Sequence, residues 1–138
     1  MQRPDLRLVL TGGALDGLGE LPDWVDRRGL VSSDELRRLY RTAALLAFPS
    51  LYEGFGLPSL EAMASGCPVA ASNAGSIPEV CGDAAELFDP TDIESIALGI
   101  VNALARASEL TAAGLEQVRK FSWKRCGDVH LAVYRSVA

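Results

Sequence analysis

Short apolar runs bounded by glycine or proline alternate with longer segments of helical periodicity, and this alternation predicts an α/β domain with an open parallel sheet flanked by helices. The first run, residues 6–11, ends in Gly12-Gly13 and has the form of a buried parallel strand. The 138 residues are 49% hydrophobic and 22% charged, the proportions of one globular domain over 1–138 with a real core.

Each element follows in order. Residues 14–22 are glycine-rich and weakly patterned, which predicts a loop. Residues 24–28 predict a short strand closed by Gly29. Ser32 and Glu35 have capping-box spacing, ahead of an apolar stripe at Leu36, Leu39, Tyr40, Ala43 and Ala44. Residues 45–48 predict a second buried strand, ended by Pro49, and 50–56 a loop. Pro58 opens a helix that Gly66 closes. Residues 68–72 predict a strand, 73–76 a turn, 77–80 a helical turn and 86–89 a last strand. Thr91 and Glu94 form a second capping-box pattern before a helix whose apolar face is Ile93, Ile96, Ala97, Ile100, Val101 and Leu104. Helices over 108–120 and 122–137 complete the chain.

Charge and composition exclude several classes. The net charge is −5, with 13 Lys and Arg against 18 Asp and Glu, so no basic face is expected and no nucleic-acid partner. The cluster Arg119, Lys120, Lys124 and Arg125 reads as a solvated helix end. Cys67, Cys81 and Cys126 lack CxxC spacing and read as buried apolar residues in a reducing compartment. One histidine, His130, rules against a His-dependent triad or a multi-His metal site. Asp-x-Asp pairs are absent, which disfavours a metal-diphosphate clamp. No apolar stretch reaches the ~18 residues of a membrane span, so the domain reads as soluble.

Chemistry concentrates in residues 49–61, PSLYEGFGLPSLE. Gly54 and Gly56 allow close backbone approach to a ligand. The helix opening at Pro58 offers uncapped N–H groups and a positive dipole end, which together favour a phosphate. Glu53 and Glu61 bracket this anion site and would repel phosphate, so their useful role is to accept hydrogen bonds from hydroxyls. A diphosphate between two hydroxyl-rich rings satisfies every group, which describes a nucleotide-sugar with one carboxylate for the ribose and one for the sugar. The bland alternative is a Glu that merely stabilises a helix dipole.

The run FPSLYEGFGLPSLEAMASGCPVAASNAGSIPEVCGDAAELFDP resembles the donor-binding half of the family 4 (group 1) glycosyltransferases. Their mark is Glu, seven residues, Glu, matched by Glu53 and Glu61. LRRLYRTAALLAFPS before the run and the late Phe121-Ser-Trp123 agree as well, so the resemblance covers residues 31–134.

The resemblance implies the C-terminal, Rossmann-like half of a GT-B fold, transferring a hexosyl group with retention and without a metal or other cofactor. Glu53 would be the catalytic residue, contacting donor-sugar hydroxyls near the reacting carbon. Backbone amides of Gly54, Phe55, Gly56 and Leu57 would hold the sugar and diphosphate, and Glu61 the ribose. Gly29, Leu30 and Val31 would border the base, whether the donor is UDP-, GDP- or ADP-linked.

In that family an earlier β-α unit supplies an Arg and a Lys to the diphosphate. Neither has a counterpart here, and residues 14–22 are too short for the usual helix. The chain therefore reads as N-terminally truncated, without its acceptor-binding domain, and inactive alone. The last helix would lose a partner at Val129, Leu131, Val133, Tyr134 and Val137, which leaves a homodimer through that helix as one outcome. His130 on the same helix reads as structural. The parent enzyme is expected in the cytoplasm, or peripheral to the inner membrane surface. Alternatives are a free-standing α/β binding or interaction module, and other GT-B proteins such as a nucleotide-sugar epimerase or a glycogen-phosphorylase-like protein.

Overall fold

A computed structural model describes residues 6–13, 17 and 19–137. The chain forms two compact units whose boundary falls between Leu36 and Arg37. In the first, strand β1 (Leu8–Thr11) pairs in parallel with β2 (Val25–Gly29), Leu8 opposite Val25 and Thr11 opposite Gly29. The predicted loop over 14–22 lies partly outside the described residues. β1 was expected to be buried, yet Leu8 and Val9 are exposed. A two-stranded sheet has too little surface to cover them within its own unit.

Helix α1 (Ser33–Thr42) carries the boundary. Its start matches the capping-box pattern in part. Ser32 Oγ accepts from Glu35 N at 3.2 Å, while the Glu35 carboxylate accepts from Arg28, which also pairs with Asp26.

The second unit is a three-stranded parallel sheet of β3 (Leu46–Phe48), β4 (Val69–Ser72) and β5 (Glu86–Phe88), in that spatial order. Helix α2 (Leu57–Ala64) makes the first crossover. It ends as predicted at Gly66, at φ +79°, where Cys67 N donates to Ala62 O at 2.9 Å and Gly66 N to Met63 O at 3.0 Å. Those two bonds are a Schellman motif, which the left-handed glycine makes possible. Helix α3 (Ile77–Cys81) and a 3-10 turn (Gly82–Ala84) lead into β5. Helices α4 (Ile93–Ala105), α5 (Ala107–Val118) and α6 (Trp123–Val137) follow. The core is built from α2, α3 and the fully buried β4, with α5 laid over α2 and α4 over β5. Among the described residues no single helix is long and apolar enough to cross a membrane.

Three expectations are corrected. Asp92, not Thr91, caps α4: its side chain accepts from Glu94 N at 2.9 Å. Thr91 is one residue too early, and its N–H and hydroxyl both bind Asp89 instead. The face of α4 is also rotated. Gly99 and Ala103 are buried with Ile96 and Ile100 beside them, whereas Ile93 is 83% exposed and Val101 is exposed. The glycine decides this, because it lets the helix backbone come closest to β5. Finally, Cys67 and Cys81 are buried but Cys126 is exposed, on a helix that buries no residue. The α6 residues Val129, Leu131, Val133, Tyr134 and Val137 are all exposed.

Burial makes the core sensitive to base. It pushes the Cys67 thiol up from 9.0 to about 11, against a smaller opposing hydrogen bond from the Leu46 backbone. Burial first, then the Glu61 charge, pushes the Tyr40 hydroxyl up to about 12. Both values are raised on folding, so the stability they contribute is whole below the unfolded values and lost as pH climbs through the folded ones. For Cys67 the contribution is roughly 2–3 kcal/mol. Thermal unfolding followed from pH 8 to 12 should show Tm falling above about pH 9. Cys67→Ala should flatten that fall, and an unchanged slope would refute the assignment.

Candidate functional site

The predicted loop leaves the carboxyl end of β3 at Pro49 and enters α2 at Leu57, the end of a parallel strand where ligands of open α/β sheets lie. Gly56 is the N-cap, at φ +93°, with its position for a Cβ 3.5 Å from Ile77 Cγ1. No side chain caps α2, and Pro58 occupies its first turn. Pro58 has no N–H and Ser59 N donates to Gly56 O at 3.1 Å, so the amides before Pro58 and the positive end of the dipole are what this loop offers an anion.

Glu53 is half-buried and held from three sides. Ser50 Oγ donates to its Oε1 at 2.9 Å and also lies 3.1 Å from Tyr52 O. Ser76 Oγ, from the β4–α3 turn, donates to the Glu53 carbonyl at 3.0 Å. Gly75, at φ +60°, brings that turn so close that a Cβ there would sit 3.5 Å from both Glu53 N and Glu53 O. Phe55 is braced separately: Phe121 meets its ring edge-to-face, with centroids 5.9 Å apart and an 88° interplanar angle. Gly54, Phe55 and Leu57 are exposed, and Gly56 is buried.

Glu61 is exposed on the outer side of α2, while Ser59, Leu60, Ala62 and Met63 turn inward. Tyr40 of α1 stands near enough for the Glu61 charge to help raise its hydroxyl pKa, after burial. No acidic residue lies in the first turn of α2. Glu61 sits beyond the range over which a helix dipole matters, which weakens the bland reading of this residue.

One strand–loop–helix segment thus gathers Glu53, Gly54, Phe55, Gly56, Leu57 and Glu61. Gly29, Leu30 and Val31 belong to the other unit, at the carboxyl end of β2. There Gly29 is left-handed (φ +63°), Leu30 is exposed and Val31 half-buried.

Sequence reasoning missed Ser50, Tyr40, Gly75, Ser76 and Phe121. Ser50 carried a local signal, three residues before Glu53. Tyr40 was visible only as part of an apolar stripe, and the turn at 73–76 was legible as a turn but nothing local points it at Glu53. A separate cleft of about 520 Å³, lined by Glu79, Asp83, Glu116, Gln117, Lys120 and Phe121 among others, contains none of the predicted site residues.

Comparison with known proteins agrees with this architecture. The profile of the family described as "Glycosyl transferases group 1" matches residues 1–106. The O-antigen chain mannosyltransferase B of Escherichia coli is 42% identical over 120 residues, 85% of this chain and 32% of that protein. The MMP alpha-(1->4)-mannosyltransferase of Mycolicibacterium hassiacum is 38% identical over 121 residues, 83% of this chain and 29% of that protein. Among solved structures, the sucrose-phosphate synthase of Thermosynechococcus elongatus superposes with a TM-score of 0.80 at 29% identity, covering 95% of this chain and 38% of that one. The chain spans about a third of the length of these curated relatives.

Proposed function

The chain belongs to the group 1 glycosyl transferases, a GT-B group, and on that premise we propose that it is the donor-binding half of a retaining family 4 hexosyltransferase. The observation that carries the reading is the loop 50–57. It presents an uncapped helix N-terminus with Glu53 before it, its carboxylate held by Ser50, and Glu61 exposed further along the helix.

In this reading the diphosphate lies over the amides of Gly54 to Leu57, where the helix dipole offsets its charge without a metal. Glu53 accepts from the donor-sugar hydroxyls beside the reacting carbon, and Glu61 from the ribose. The relatives named as mannosyltransferases support a hexose donor.

The exposed side of α6 supports a mating surface for an acceptor-binding domain, and a second copy of the chain is the competing occupant. Without an acceptor held in register, the geometric advantage that drives transfer is missing. The isolated domain then binds nucleotide-sugar weakly, lacking cations for the diphosphate, and transfers nothing.

Isothermal titration with UDP, GDP and ADP, each free and sugar-linked, tests this. Micromolar or weaker binding of one of them is expected, tightened by the sugar. Binding of none, sub-micromolar binding, or turnover onto an added acceptor would each count against part of the reading.

A further inference from the structure

We infer that Ser50 and Ser76 are positioning residues for Glu53, tying one carboxylate oxygen and the main chain to the protein and leaving the second oxygen for a donor-sugar hydroxyl. The inference rests on the donor-site reading above.

A free Glu side chain turns about three bonds, and an acceptor that must meet one particular hydroxyl has to be held still. Ser50 does this at the tip. Its single proton lies within reach of the Tyr52 carbonyl and of Glu53 Oε1, and the ionised oxygen is the stronger acceptor. A carboxylate has about four acceptor positions, so one bond to Ser50 still leaves Oε2 whole for a ligand.

Ser76 does the same at the backbone. Serine just before a helix ordinarily turns its hydroxyl onto that helix's own N–H groups. Ser76 stands at the N-cap of α3 and makes no such bond; its hydroxyl reaches back 23 residues to the Glu53 carbonyl. A cap is given up for a contact that steadies a loop. The left-handed Gly75 makes this reach feasible, since a side chain there would be strained where the turn meets Glu53.

The test compares the parent chain with Glu53→Ala, Ser50→Ala, Ser50→Thr and Ser76→Ala. Each is titrated with the best-bound nucleoside diphosphate of UDP, GDP and ADP, and with its sugar-linked form from UDP-glucose, GDP-mannose and ADP-glucose. The readout is the ratio of the two affinities, which isolates what the sugar adds. Ser50→Ala and Ser76→Ala should each reduce that ratio by about five- to tenfold while sparing the free diphosphate. Ser50→Thr should restore it. Three-bond NMR couplings of Glu53 in the ligand-free chain should change from one rotamer to an average in Ser50→Ala.

A ratio that Glu53→Ala abolishes but both alanine variants keep would overturn the positioning role alone. So would an unchanged Glu53 rotamer, or failure of Ser50→Thr to restore the ratio. A parent chain whose ratio is one, or that Glu53→Ala leaves intact, overturns the donor-sugar reading and this inference together.

Discussion

Gly99→Val should destabilise the domain by about 3 kcal/mol and Gly99→Ala by about 1–2 kcal/mol, although both replace a residue poorly suited to a helix interior. A Cβ at Gly99 would lie 2.8 Å from Phe88 Cδ1 and 3.0 Å from Phe88 Cβ. The ring tip could swing aside, but the Phe88 Cβ is tethered to β5. That strand is paired with β4, and the Phe88 carbonyl accepts from Asn73 N at 2.8 Å. The sheet and α4 must therefore part, or the chain must distort.

Two other helical glycines set the comparison, one packed and one open. At Gly114 the new atom would meet Met63 Cγ at 2.9 Å and Cβ at 3.2 Å, the root of a buried side chain on α2, so Gly114→Ala should cost about as much as Gly99→Ala. At Gly127, on exposed α6, nothing lies within 4 Å, and Gly127→Ala should stabilise by up to about 1 kcal/mol. Urea denaturation of the three alanine variants measures the order directly. If Gly99→Ala is no worse than Gly127→Ala, α4 does not pack on β5 as described.

These three glycines also show what the sequence could and could not reveal. Each is a lone glycine in a helical pattern, and the letters do not separate the one against a phenylalanine from the one in solvent. Strands β3 to β5, the Pro58 start and the Gly66 stop of α2 were legible because turn chemistry and short apolar runs are local signals. The cap of α4 was misread by one residue because Thr91 and Asp92 are both good capping residues, and Asp89 decides between them by engaging Thr91. The exposure of Cys126 was illegible for another reason. The periodicity of α6 gives it an apolar side without saying whether anything covers it. At the site, the Glu53 to Glu61 spacing carried the reading, and the Ser50 hydroxyl on the Glu53 carboxylate is local, whereas the hydroxyl on the Glu53 main chain comes from another element. Ser76 is 23 residues from its partner, a juxtaposition made only by the β4 crossover.

Glu61→Ala should weaken binding of the preferred nucleoside diphosphate about 10- to 100-fold, the largest functional effect expected in this chain. A carboxylate accepting from two ribose hydroxyls makes charge-assisted bonds, and losing such an acceptor costs about 1.5–3 kcal/mol. The fold should not suffer, because Glu61 is exposed and outside the first turn of α2. The effect must also depend on the sugar of the nucleotide. The parent chain should prefer the ribonucleotide to its 2′,3′-dideoxy form, and Glu61→Ala should bind the two alike. Tyr40→Phe keeps the carboxylate and removes only a hydroxyl whose pKa the Glu61 charge helps raise, so it should cost a few-fold at most and retain the preference. Titration of the two nucleotide forms against the three proteins separates the possibilities. A helix-dipole role would weaken both forms slightly and equally; a ribose acceptor loses affinity only where there are hydroxyls to bind. Should the dideoxy form bind the parent chain as well as the ribonucleotide, Glu61 has no ribose to recognise, and the orientation of the donor along α2 is wrong.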